Sequence, residues 1–133
     1  MIKLSTSNYY KSLTPCEKQD ICNGTGASGS PKWLVSILDS FDGIGINFRP
    51  ASNRHDCGYY FAVNAFQKIK EDLRFLLNMI IISINACLTL PIANTLGNVI
   101  FLPFRDVRAL FYFVAVFVFG WFAWHPKKGH KPK

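Results

Sequence analysis

At 133 residues the chain is long enough for one domain with a buried core. Half of its residues are hydrophobic and twelve are Phe, rich for a soluble protein yet not membrane-like overall. Fifteen Lys and Arg against eight Asp and Glu leave a formal charge of +7, which suits an anionic partner, a membrane surface or a nucleic acid. No RNA- or DNA-binding fingerprint accompanies the charge, and the basic residues are not interleaved with an aromatic stacking platform. The balance therefore favours lipid and excludes nucleic acid.

The first ten residues, Met1 to Tyr10, contain no apolar run of the kind a secretory signal needs. Residues 1–15 are polar and aromatic and read as an arm or a short helix ending at Pro15. Residues 16–31 include Asn23-Gly24-Thr25-Gly26-Ala27-Ser28-Gly29-Ser30-Pro31, a loop by composition. Its glycines permit positive φ and let backbone carbonyls converge. Trp33 to Leu38 is a short apolar run worth a helical turn or two; Asp39 and Asp42 read as turn or cap residues, and Asp42-Gly43-Ile44-Gly45 breaks the chain.

Arg49-Pro50 is a favourable helix start, because Pro is tolerated in a first turn. The spacing predicts a helix from there to about Val63, a turn at Asn64, and a second helix over Gln67–Leu88 that stops before Pro91. Leu90 to Phe104, with Pro91, Gly97 and Pro103, reads as a linker with short helical pieces at most. A last helix is predicted from about Arg105 to Trp124, and residues 125–133 form a basic, disordered tail. Phe75–Ala93 and Ala109–Trp124 are uncharged. The second spans roughly 24 Å as a helix, short of the roughly 20 residues a bilayer core requires. Both read as core helices. There is no internal repeat.

Four cysteines, Cys16, Cys22, Cys57 and Cys87, permit two disulfides in any of three connectivities, and no pair has zinc-like spacing. Chemistry concentrates in Asn53-Arg54-His55-Asp56-Cys57-Gly58-Tyr59. On a helix His55 and Tyr59 share a face while Asp56 is turned about 100° away. One helix thus offers a general base to one side and a hard oxygen ligand to another.

This segment, read as Phe48-Arg49-Pro50-Ala51-Ser52-Asn53-Arg54-His55-Asp56-Cys57-Gly58-Tyr59, resembles the active-site helix of the secreted phospholipase A2 superfamily. The likeness is closest to the bacterial and fungal branch, whose pattern runs Phe-x-x-Ala-Cys-x-Arg-His-Asp-x-Gly-Tyr. Gly45 fits the Phe-Gly-Phe segment that precedes it. Glu71-Asp72-Leu73-Arg74-Phe75 is similar to the family's second helix, and Asp20-Ile21-Cys22-Asn23 to its calcium loop. Ala109 to Gly120 looks like its closing helix.

The resemblance implies an all-α phospholipase A2-like domain over residues 1–133, with two antiparallel catalytic helices, a calcium-binding loop and a C-terminal apolar helix. It implies His55 as the base, Asp72 as the acceptor for its other ring nitrogen, and Tyr59 as a residue that helps hold Asp72. Calcium would be held by Asp56 with the Asp20 carboxylate and the Ile21 carbonyl. Asn23-Gly24-Thr25-Gly26 also resembles the Gly-x-Gly loop of the animal enzymes, where carbonyls bind, so Gly24 is the ligand in a second register; both stay open.

Ser52 stands where the branch has a cysteine, so the usual disulfide from the calcium loop cannot form, and the link between the catalytic helices is shorter than usual. The implied protein is a monomeric, secreted or extracellular enzyme that hydrolyses the sn-2 ester at membrane surfaces, anionic lipids favoured. Lys127, Lys128, Lys131 and Lys133 in the tail are candidates to attract headgroups, and Trp121, Phe122 and Trp124 to enter the interface. The alternatives are a small membrane-anchored protein without catalysis and a phospholipase-like lipid-binding module that has lost turnover.

Overall fold

Three short polar signatures set where the helices begin. The structure is a computed structural model that describes residues 1–21, 46–89 and 95–124 and, within the last of these, the side chains of 103, 106–121 and 124. Ser7 accepts a hydrogen bond from the backbone N–H of Tyr10 and starts α1, Asn8–Ser12. Thr14 and Glu17 form a reciprocal capping box that starts α2, Pro15–Ile21, each side chain accepting from the other residue's backbone N–H. Asn64 accepts from Gln67 N–H while Gln67 reaches back to Val63 N–H, opening α4, Ala65–Thr89. Between these lies α3, Arg49–Phe61, with Pro50 in its first turn and Asn47 accepting from the Arg49 N–H.

α3 and α4 are joined only by residues 62–64, so they must double back on one another. The contacts bear this out. His55 meets Asp72 and Phe75, whereas Tyr59, one turn further along α3, meets Lys68, one turn earlier on α4. α5, Thr95–Ala123, packs along α4 and touches α3 near its two ends: Tyr112 reaches Phe48, and Gly120 lies beside Tyr59. Ile46, Phe48, Ala51, Phe75, Met79, Ala109, Tyr112 and Ala115 form the main core where the three helices meet. A smaller cluster of Leu13, Cys57 and Phe61, with Tyr10 and Ile21 against it, seats α1 and α2 on the back of α3. Among the described residues every element is an α-helix, as the all-α expectation requires.

Two expectations are corrected. Residues 95–104 are not a linker: α5 begins at Thr95 and carries Gly97 and Pro103 inside it. Proline removes one helical hydrogen bond, here the one to the Val99 carbonyl, and costs about 3 kcal/mol in a helix interior. Pro103 is exposed, and the C-terminal half of α5 is anchored by buried Ala109, Tyr112 and Ala115, so the long helix carries that cost. Pro15, expected to end an arm or short helix, instead opens one that runs to Ile21, because the Thr14–Glu17 box starts a helix there. The remaining loop, the Trp33–Leu38 run, Gly45 and the tail lie outside the described residues.

Residues 1–6 are held by two asparagines seven positions apart on α4. Asn85 accepts from Ile2 N–H and donates to the Ile2 carbonyl, both at 2.7 Å. Asn78 makes the same double contact with Ser5, at 2.7 and 2.9 Å. Seven helical residues rise about 10.5 Å, and three extended residues advance about 10 Å, so the two pairings repeat in step. Each amide stands in for a facing backbone peptide. Asn78 is 1% exposed. Asn78→Ala is expected to cost about 1–3 kcal/mol in urea denaturation, because it strands the Ser5 backbone groups, and to speed proteolysis after Lys3. Asn85→Ala, at a half-buried position, should cost less.

Candidate active site

α3 is polar on a face that turns inward, an arrangement stable only if each buried group finds a partner. His55 does: it is 7% exposed and lies between the rings of Phe75 and Tyr59, at centroid distances of 4.9 and 5.3 Å. Its Nε2 is 2.9 Å from Asp72 Oδ1. A carboxylate only accepts, so Nε2 carries the proton and Nδ1 keeps its lone pair. Nδ1 is 3.9 Å from Asp56 Oδ1, beyond hydrogen-bond length. The expected pairing of His55 with Asp72 across two antiparallel helices is therefore present.

The second oxygen of Asp72 is where the arrangement departs from expectation. Tyr59 does not hold it; the Tyr59 hydroxyl donates to the Gly120 carbonyl on α5. Lys68 takes the position, with Nζ 2.7 Å from Asp72 Oδ2. Both side chains are fully buried. The physical reason is reach. Lys68 lies one turn before Asp72 on the same helix, and its long stem spans that turn, while α5 offers Tyr59 an acceptor of its own. The ammonium also sits 5.2 Å from the ring centres of Phe117 and Trp121 and 5.6 Å from that of Tyr59. Gly120 leaves room for this packing: a Cβ there would come within 3.1 Å of the Tyr59 hydroxyl.

These surroundings shift three titrations. Burial pushes the His55 pKa down, but the carboxylates of Asp56 and Asp72 outweigh it and leave the imidazole above its ordinary value. Burial raises Asp56, opposed by the nearby His55. Burial and then the charge of Asp72 hold the Tyr59 phenol well above the usual range, so Tyr59 serves as a donor and not as a base.

The expected calcium ligands divide. Asp56 Oδ2 is buried and has no hydrogen-bond partner, the state of a hard oxygen that a cation would satisfy. Asp20 is exposed on the last turn of α2. Ile21 ends that helix and packs against the cluster of Leu13, Cys57 and Phe61. Gly24 lies outside the described residues, as does Cys22. Among the described residues no three His, Cys, Asp or Glu side chains converge on a metal position. The expected set has two carboxylates and otherwise carbonyl oxygens, so Asp56 alone carries the fit. No disulfide links Cys16, Cys57 and Cys87 to one another.

Sequence reasoning missed Lys68 and Gly120. The first left a signal, a lysine four residues before the expected acid on one helix; the second left none, since any residue has a carbonyl. No protein-family model, curated protein or solved structure matches the chain. Asp72→Ala should strand the Lys68 ammonium among its rings and cost about 3–5 kcal/mol in urea denaturation. The double replacement Lys68→Met/Asp72→Leu, which removes both buried charges, should recover most of that loss.

Proposed function

We propose that the protein is a calcium-dependent phospholipase A2 that hydrolyses the sn-2 ester of glycerophospholipids. The observation that carries this reading is the buried His55 Nε2–Asp72 Oδ1 hydrogen bond of 2.9 Å, which leaves Nδ1 unprotonated beside Asp56. The residue pattern around His55, which resembles the phospholipase A2 superfamily, supplies the substrate class.

Ester hydrolysis by water needs a base that works near neutrality and a stabiliser for the charge that develops on the carbonyl oxygen. His55 Nδ1 takes a proton from the attacking water. Asp72 keeps the ring in the Nε2–H tautomer and stabilises the imidazolium that results. Tyr59 locks α3 to α5 through the Gly120 carbonyl and so fixes the ring's packing surface. No side chain need attack the ester, so Ser52 and Cys57, both buried, have no covalent role. Calcium, when bound, supplies a Lewis acid for the ester oxygen. Asp56 would hold it, with Asp20 and the Ile21 carbonyl, or with Gly24 in the second register. Asp56 binds a cation only as the carboxylate, the form that burial opposes and that a bound cation would favour.

A lipid surface is the proposed partner, reached by a secreted or extracellular monomer. Support comes from the charge of +7 and from exposed Val107, Leu110, Phe111, Val114, Val118 and Trp121, which recur at three- and four-residue spacing along α5. A second reading, a membrane-anchored protein without catalysis, has one observation in its favour. Among the described residues, Ala65–Thr89 is a helix long and apolar enough to cross a bilayer. That same helix buries Lys68, Glu71 and Asp72, which gives it the character of a core element.

Release of fatty acid from anionic liposomes is the direct test. Wild type should act only with calcium, and His55→Ala should lower the rate at least a thousandfold. Calcium-independent release, or activity in His55→Ala, overturns the proposal, and resistance to carbonate extraction favours the anchored reading. The raised pKa also fixes a sign. His55 contributes stability below the unfolded value of about 6.5, and that contribution fades as pH rises through the folded value. The base form appears over the same interval, so kcat should climb along a limb centred above 6.5. Calcium should raise Tm in wild type and leave Asp56→Asn unchanged, a readout independent of turnover.

A further inference from the structure

Lys68 is a fully buried cation near the start of α4, and its ammonium meets one carboxylate oxygen and three aromatic faces. Burying an ammonium costs several kcal/mol before any partner is found. A lysine whose only task was to fill space would be replaced at a gain by Met or Leu. What the charge does depends on its geometry. A carboxylate with one satisfied oxygen can swing about its Cβ–Cγ bond; with Oδ2 fixed at 2.7 Å from Nζ, Oδ1 is directed to His55 Nε2. The ammonium cannot swing either, because Tyr59 of α3, Phe117 and Trp121 of α5 and its own stem on α4 surround it. Nζ is therefore referenced to all three helices at once.

Among the described residues, the titratable groups facing this chain of contacts are Asp56 and Tyr59 from α3 and Asp72 from α4. From α5 the described neighbours of the ammonium are uncharged rings and the Gly120 carbonyl that occupies the Tyr59 hydroxyl. Nothing else described competes for the second oxygen of Asp72.

We propose that Lys68 is the positioning residue of the site: caged by Tyr59, Phe117 and Trp121, it clamps Asp72 so that one carboxylate oxygen holds the His55 ring in a single tautomer and orientation. The catalytic half of this statement rests on the reading of His55 as the base. The structural half, cage to carboxylate to imidazole, stands without it. The device differs from what the resemblance led us to expect, Tyr59 helping to hold Asp72. A hydroxyl steadies by one hydrogen bond, whereas an ammonium also matches the carboxylate's charge, so position and charge come from one group.

The test uses the full chain and reads nitrogen and proton magnetic resonance as well as turnover. In wild type the Lys68 ammonium protons should give a slowly exchanging signal at neutral pH, moved upfield by the three ring faces. The His55 imidazole should show one tautomer with a protected Nε2–H. In Lys68→Met the His55 signal should broaden or split between tautomers, while Lys68→Arg, which keeps a cation in the cage, restores it at least in part. Kinetically, Lys68→Met should lower kcat about tenfold to a hundredfold with KM within twofold, the pattern of a misaligned base. A folded Lys68→Met with an unchanged His55 signal overturns the proposal. So does a Lys68 signal in wild type that exchanges as fast as a solvent-exposed lysine, a result that needs no variant to fold. Absence of fatty-acid release from wild type would refute the phospholipase reading alone, since the resonance measurements still decide whether Lys68 sets the ring.

Discussion

Two opposite charges with no access to water lie at the centre of this protein, and the helices are arranged so that neither is left alone. Lys68 and Asp72 are one turn apart on α4, which makes their pairing local and independent of the rest of the fold. Neither is satisfied by that pairing alone. The ammonium needs the aromatic faces of Tyr59, Phe117 and Trp121, and the carboxylate needs the Nε2–H of His55. Those partners come from α3 and α5, so the three long helices are correct only when both charges are correct. Apolar contacts such as Phe75, Met79 and Tyr112 supply the driving force for packing, but they tolerate small slides. A 2.7 Å ion pair in a dry interior does not. Its role is to choose one alignment among several that bury similar area.

Much of this was legible in the chain. The start of α3 followed from Arg49-Pro50, the turn from Asn64, and the pairing of His55 with Asp72 from motif spacing that resembled a known pattern. Capping boxes and i, i+4 spacings are local, so a sequence displays them openly. What was not legible came from choices between partners. The Tyr59 hydroxyl found its acceptor on α5, and the Gly120 carbonyl carries no mark in sequence. Pro103 and Gly97 argued for a break that a helix anchored elsewhere overrode. Propensity is a weak prior, and long-range burial decided against it.

α4 also shows how an apolar helix acquires a place in a domain. By length and composition it resembles a membrane span, yet four of its polar side chains find partners on other segments: Lys68 and Asp72 among α3 and α5, Asn78 and Asn85 on the N-terminal residues. The glutamate at 71 lies against Gly58, where the absence of a Cβ lets α3 and α4 approach closely, and pairs with Arg74. Polarity placed at intervals along one helix thus specifies what must surround it.

The two asparagine clasps at Ser5 and Ile2 join residues separated by 73 and 83 positions. On a growing chain the segment that docks there emerges well before its docking site. Six residues must stay unpaired until α4 is complete, and loop closure over such a distance is slow compared with helix formation. The same clasps tie the beginning of the chain to the helix that carries Lys68 and Asp72. Docking of the N-terminal segment therefore needs only a finished α4, whereas the cage around Lys68 waits for Phe117 and Trp121 of α5.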